Sequence, residues 1–209
     1  MKLYDYTPAP SPRRIRMLLA EKGVEVERVQ IDLGERAQFE DDYRAVNPRC
    51  TVPALQLDDG TVLCDTASIT RYVEEVYPDP PMLGRDPVEK ALVAEWLART
   101  EWEGLSAVME GLRNHSKFFK TAALTGPDSY TQIPELAERG RARAQRFYDV
   151  LDERLGQSAY LAGDAFSAAD IAAWIFVEFS AWVKLAPGEQ HGHLLAWHDA
   201  IKSRPSADA

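Results

Sequence analysis

The segment Pro78-Asp79-Pro80-Pro81 constrains this chain more than any other feature, because the hydrophobic periodicity changes there. Proline fixes φ and lacks an N–H, so no helix continues through such a run. Before it, short apolar runs alternate with helical patterns. Lys2 to Tyr6 reads as a strand, and Pro12 to Lys22 as a helix closed by Gly23. Val24, Val26, Val29, Ile31 and Leu33 mark a second strand with imperfect alternation, followed by a polar, irregular stretch from Gly34 to Arg49. Two further apolar runs, Ala54-Leu55-Gln56-Leu57 and Thr61-Val62-Leu63-Cys64, flank Asp58-Asp59-Gly60, a hairpin signal. A helix follows from Thr66 to about Tyr77. A strand-helix-strand unit is parallel and right-handed, and a hairpin is antiparallel. Residues 1–79 are therefore expected to form an α/β domain with a four-stranded mixed sheet, and 80–87 a linker.

Beyond the linker the strand signals stop, and 88–209 reads as an all-helical bundle domain. Val88 to about Asn114 is one long helical pattern, with Leu92, Trp96, Arg99 and Leu105 at three-to-four spacing. A loop from Gly126 to Pro134 precedes a second, in which Ala144, Phe147, Leu151 and Leu155 recur. Asp170 to Leu185 is apolar nearly all round, which marks a helix buried by its neighbours. Ser167 and Asp170 have the spacing of a capping box at its start, flanked by Phe166 and Ile171 as a hydrophobic staple. A last helix covers Leu194 to Lys202.

A net charge of -9 repels nucleic acid phosphates and anionic lipid, so neither is expected as a partner. Arg13, Arg14 and Arg16, and the run Arg139, Arg141, Arg143 and Arg146, read as solvated helix faces. Cys50 and Cys64 have no metal-ligand spacing, so no metal is expected, and two cysteines in a chain of this length point to a reducing compartment. With no secretory signal pattern and no apolar stretch of about 18 residues, a cytoplasmic location is expected.

Three short stretches carry the chemistry. Asp65-Thr66 lies where a helix begins: free N–H groups and a hydroxyl there receive an anion, and the carboxylate an ammonium. That pairing fits an α-amino-acid head group, although an ordinary N-cap has the same look. Val52-Pro53 opens a strand with a residue that has no N–H. If that bond is cis, the Val52 backbone faces outward and pairs with an extended peptide as an added strand does. Ser11, before Pro12, reads as the N-cap of the first helix. Its hydroxyl either caps that helix or meets a ligand.

The string Asn47-Pro48-Arg49-Cys50-Thr51-Val52-Pro53-Ala54-Leu55, followed by Leu63-Cys64-Asp65-Thr66-Ala67-Ser68-Ile69, resembles the glutathione-site signature of cytosolic glutathione transferases. Tyr160-Leu161-Ala162-Gly163-Asp164 through Ile171 resembles the folding motif of their helical half, so the likeness covers nearly the whole chain. It implies a thioredoxin-like first domain, glutathione as co-substrate, a homodimer, and a cis bond at Val52-Pro53. It places Thr51, Val52 and Pro53 against the cysteinyl backbone, Asp65 and Thr66 against the γ-glutamyl end, and Gln38, with Arg36 as second candidate, against the glycyl carboxylate. The reaction it implies joins the glutathione thiolate to a small hydrophobic electrophile, or runs a related peroxidase or dehalogenase chemistry. An isomerase of dicarboxylates, with Arg13 as a basic residue, and a binding protein without catalysis are the alternatives.

A free thiol titrates near 8.5, so its activation needs a donor or a helix N-terminus that favours the thiolate. Serine-type classes carry a hydroxyl one or two residues before Ser11, where this chain has Ala9 and Pro10, and Tyr6 is one residue out of register for a tyrosine-type class. Pro10, Pro12, Arg14 and Arg16, with Ala20-Glu21-Lys22, are similar to an atypical bacterial and fungal subgroup in which a water held by helical-domain side chains serves the thiol. Arg113-Asn114-His115-Ser116 is the stretch where those side chains are sought, so His115 joins Ser11 as a catalytic candidate. Cys50 is either a plain buried thiol or a redox group. Trp102, Phe118, Phe119, Trp174, Phe179 and Trp182 are core residues or the lining of an apolar second-substrate pocket.

Overall fold

The computed structural model describes all 209 residues. The N-terminal part runs β1 (Lys2–Asp5), α1 (Pro10–Glu21), β2 (Glu27–Gln30), α2 (Asp41–Val46), β3 (Ala54–Gln56), β4 (Val62–Leu63) and α3 (Thr66–Val76). Its sheet has the order β2-β1-β3-β4, with β1 parallel to β2 and antiparallel to β3, and β3 antiparallel to β4. That is the four-stranded mixed sheet expected, and Gly60 turns the hairpin at φ 88. Two local readings change. The second strand is confined to Glu27–Gln30, the residues in register with β1, and ends at Ile31, whose N–H binds the Asp5 carbonyl at 2.7 Å. The irregular stretch contains a 3-10 turn, Ala37–Phe39, and the short α2, whose Tyr43 is buried.

The rest is helical: α4 (Pro87–Arg99), α5 (Ser106–Arg113), α6 (Pro134–Leu155), α7 (Ala168–Ser180) and α8 (Gly192–Lys202). A π-helical turn, Thr100–Leu105, joins α4 to α5 in one continuous rod, as the long apolar pattern indicated. At Gly104 in this turn a Cβ would come within 2.9 Å of Phe147 and Phe176, so only glycine admits those rings. In α7 nearly every residue is buried, including Trp174 and Phe176. Ser167 and Asp170 form the capping box, and Asp170 also accepts from the Leu161 amide (3.0 Å) and the Trp197 indole (3.2 Å). Desolvation is the largest influence on that carboxyl and pushes it up to about 6, against four hydrogen bonds that favour its charged form.

The arginines of α1 are not a solvated face. Arg16 is 4% exposed and pairs with the fully buried Asp5 at 2.6 Å; it also donates to the Thr7 carbonyl at 3.0 Å. Arg14 pairs with Glu101 on the π turn at 2.8 Å. Arg13 sits over the Trp174 ring and donates to the Ala207 carbonyl. The reason is topological: α1 packs against α7, so the polar side of α1 faces helices rather than water. Arg204 completes this lashing with a two-pronged bond to Glu21 at 2.8 and 2.7 Å. The second arginine run is a solvated face only in part: Arg139 and Arg146 are exposed, Arg141 and Arg143 are half-buried, and Arg139 and Arg143 share Glu110.

Candidate active site

The sheet register brings the three chemical stretches to one edge. Tyr4 pairs with Ala54, and Leu55 with Leu63, so the end of β1, the start of β3 and the end of β4 lie side by side. The chain leaving β1 becomes the α1 turn, the chain entering β3 is Thr51-Val52-Pro53, and the chain leaving β4 becomes the α3 start.

The middle stretch is held from behind. The Val52-Pro53 peptide is cis. Just before it, the Thr51 carbonyl accepts from the Tyr43 hydroxyl (2.5 Å) and the Asn47 side-chain amide (2.8 Å). Burial pushes the Tyr43 phenol up to about 12, so it remains a neutral donor across the physiological range. With the Thr51 carbonyl so engaged on its inner side, Val52 is half-buried and its N–H and C=O have no protein partner. Cys50 supplies the bend with φ 53 and is 4% exposed, its Sγ 3.6 Å from the Pro48 carbonyl. Cys64 is half-buried; burial pushes its thiol up, opposed by Arg49.

At α3, Asp65 is the N-cap and accepts from the Ser68 N–H at 2.9 Å. The Thr66 and Ala67 N–H groups remain without partners. Asp65 is exposed, so its second oxygen is open to a ligand ammonium.

At α1 the sequence reading needs correction. The N-cap is Ala9, Pro10 is the first helical residue, and Ser11 lies inside the first turn. Ser11 therefore does not cap the helix. Pro10 and Pro12 have no N–H, and Arg13 N–H already binds the Ala9 carbonyl at 3.3 Å. The Ser11 N–H and hydroxyl are thus the free donors of this helix start, and Ser11 is half-buried. The Tyr6 hydroxyl lies beside Gly34 and the turn after β2.

The remaining candidates scatter. Arg36 is exposed at φ 62 with its guanidinium over the Phe39 ring. Gln38 is half-buried in the Ala37–Phe39 turn, its Oε1 buried without a partner, which leaves the amide nitrogen as the donor a carboxylate could use. His115 is exposed, and its ring makes neither a hydrogen bond nor an ion pair. Arg113, through Nη1, and Asn114 hold the segment that follows α5. Trp174 and Phe179 are core, whereas Trp102, Phe118 and Trp182 are exposed.

The family description "Glutathione S-transferase, N-terminal domain" matches residues 9–76, and "Glutathione S-transferase, C-terminal domain" matches 116–205. The chain belongs to the glutathione S-transferase family. Glutathione S-transferase 2 of Saccharomyces cerevisiae is 34% identical over 210 residues, covering 99% of this chain and 87% of that protein. Disulfide-bond oxidoreductase YfcG of Escherichia coli is 30% identical, over 96% of this chain and 90% of its own. The crystal structure of a glutathione S-transferase domain-containing protein from Marinobacter aquaeolei VT8 superimposes with a TM-score of 0.90 at 34% identity, over 99% of each chain.

For a glutathione S-transferase, whose co-substrate is glutathione, the donor set on this sheet edge has the right chemistry. It offers a carboxylate with two free amides for an amino-acid head group, and a free backbone stretch for the middle residue. The sequence does not single out Tyr43, and it gives Asn47 only as the first residue of the signature string. Tyr43 sat in a stretch read as irregular, and no local pattern says that its hydroxyl reaches Thr51.

Proposed function

We propose that this glutathione S-transferase joins the thiol of glutathione to small hydrophobic electrophiles. The observation that carries the reading is the α1 start, where the Ser11 N–H and hydroxyl are left free at the sheet edge shared with Val52-Pro53 and Asp65-Thr66. Asp65 holds the γ-glutamyl ammonium, and the Thr66 and Ala67 amides hold its carboxylate. The Val52 backbone pairs with the cysteinyl residue, and Gln38, with Arg36 nearby, receives the glycyl carboxylate.

The cysteinyl sulfur then lies near Ser11. A hydroxyl donor and the positive end of α1 both favour the thiolate. Lowering the thiol by two units requires about 2.7 kcal/mol of such preference. The thiol proton passes to water, the sulfur forms a bond to the electrophilic carbon, and a leaving group departs with the bonding pair. Beyond this, catalysis is the holding of that carbon beside the sulfur. His115 serves this chemistry only through water, since its ring stands free in solvent.

Arg13 speaks against the isomerase alternative: it is tied to Trp174, the Ala207 carbonyl and Glu178, and is not free to receive a dicarboxylate. We place the protein in the cytosol as a homodimer; no helix is long and apolar enough to cross a membrane, and Val88 and Trp102 are exposed on the α4 rod. Retention on glutathione-agarose and the thiolate absorbance of bound glutathione test the reading together. A bound thiol that still titrates near 8.5 leaves a binder and not a catalyst.

A further inference from the structure

The helix α2 is six residues long and has no side-chain cap, too little to be stable by itself. Tertiary contacts hold it. Tyr43 is 4% exposed, with its ring 5.6 Å from that of Tyr4 on β1, and Asn47, at the C-cap, is fully buried. The two are four residues apart, so their side chains leave the same face of the helix. Both end on one atom: the Thr51 carbonyl oxygen accepts from the Tyr43 hydroxyl at 2.5 Å and from the Asn47 side-chain amide at 2.8 Å. Asn47 also shapes the turn between them. Its side chain accepts the Arg49 N–H at 3.0 Å and its carbonyl the Cys50 N–H at 2.9 Å, while Cys50 takes φ 53. A non-glycine residue keeps that left-handed conformation only where its surroundings impose it.

A carbonyl oxygen has two lone pairs, and here α2 supplies a donor for each. The consequence lies on the other side of the peptide. The Thr51–Val52 bond is trans, so its C=O and N–H share one plane and point in opposite directions. Fixing the Thr51 oxygen against α2 therefore aims the Val52 N–H away from α2, toward the open side of the stretch. That N–H has no partner in the protein. A single donor would leave the plane free to swing about it; two donors from one helix face hold it.

We infer that Tyr43 and Asn47 are positioning residues for glutathione: they set the rotation of the Thr51–Val52 peptide plane, and with it the direction in which the Val52 N–H meets the cysteinyl carbonyl. The inference rests on the glutathione reading of this stretch and adds to it the groups that make the pairing backbone rigid before a ligand arrives. When two extended residues exchange hydrogen bonds, each N–H must point nearly straight at its acceptor, and the bond weakens steeply as the angle closes. With the Thr51 carbonyl untied, the plane turns and the Val52 N–H is lost as a donor, while Asp65 and Thr66 keep their hold on the γ-glutamyl end.

The test is NMR titration of the full chain, which reads millimolar as well as micromolar affinity, with two ligands. Glutathione carries the cysteinyl carbonyl; γ-glutamyl methylamide keeps the γ-glutamyl head and the first amide N–H but lacks that carbonyl. Tyr43→Phe keeps the ring against Tyr4 and removes only the hydroxyl. It is expected to weaken glutathione about 10-fold and the methylamide less than about 2-fold, and Asn47→Ala to do the same. Should either variant fail to fold, the other carries the test. Unchanged glutathione affinity overturns the inference, as does an equal loss for both ligands, since the whole site has then loosened. If the wild type does not bind the methylamide, or binds neither ligand so that the glutathione reading falls, the residual dipolar coupling of the Val52 N–H in the free protein decides for the clamp. A coupling changed in Tyr43→Phe, with those of Leu55 and Leu63 on the paired strands unchanged, keeps it; an unchanged Val52 coupling removes it.

Discussion

Two helix starts in this protein are built in opposite ways. At α7 the Ser167–Asp170 box satisfies the first turn, and the Asp170 carboxylate gathers donors from Leu161, Ser167 and Trp197 in a fully buried setting. At α1 no side chain caps the helix, two prolines remove N–H groups, and the Ser11 amide and hydroxyl are left open. The first arrangement consumes every donor to join helices; the second leaves one pair of donors open. A helix end left unsatisfied is costly unless water or a ligand completes it, so the contrast marks α1 as the start where the proposed function is tested.

The largest effect that sharpens this contrast is at α7. Asp170→Ala strands several buried donors and is expected to lower unfolding stability by about 3–5 kcal/mol in urea titration. A loss below about 1 kcal/mol would mean that the box is ordinary capping. The pH dependence follows from the same group. Its folded pKa, about 6, lies above the ordinary 3.8, so the folded state binds more protons between those values. Stability therefore decreases as pH rises through that window, by up to ~1.4 kcal/mol per unit, and the slope flattens in Asp170→Asn.

Asp65→Ala tests the intermediate case, a cap that also faces the ligand. Calorimetry is expected to show glutathione binding weakened by about 2 kcal/mol, while stability drops by only about 1 kcal/mol. Equal affinity in wild type and variant would remove Asp65 from the ligand site and leave it a cap alone. Ser11→Ala gives the smallest change in the fold, within about 0.5 kcal/mol, because Ser11 caps nothing. The bound thiol pKa is expected to rise by about one unit, or about 1.4 kcal/mol, read from thiolate absorbance. If the thiol titrates unchanged while stability drops, the α1 start is as structural as that of α7 and the comparison collapses.

Much of this was legible in residue order. The two-part architecture followed from the change of period at Pro78–Pro81, and the hairpin from Asp59-Gly60, since both are local conformational signals. The α7 box was equally plain because its two members are three residues apart. The first helix was misread by two residues, with Ser11 placed at the cap. Proline occupies either Pro10 or Pro12 with equal local logic, and packing of α1 on α7 and the sheet set the actual start. The short α2 was missed because six residues carry too little pattern to distinguish from a polar turn.

The amino-acid order by itself determined the strand and helix succession, apart from the short α2, and the family signature, because these depend on neighbours within a few residues. Only the tertiary structure decided which polar groups remain free. Arg13, Arg14 and Arg16 look like a charged surface in the chain; once α1 lies against the helices, Arg13 and Arg14 become ties to the helical part and Arg16 a buried partner of Asp5. Arg113 and Asn114 look like ligands for a water and instead pin a loop. Whether a donor is free depends on what stands within about 3 Å of it, and at most of these sites that neighbour is distant in the chain.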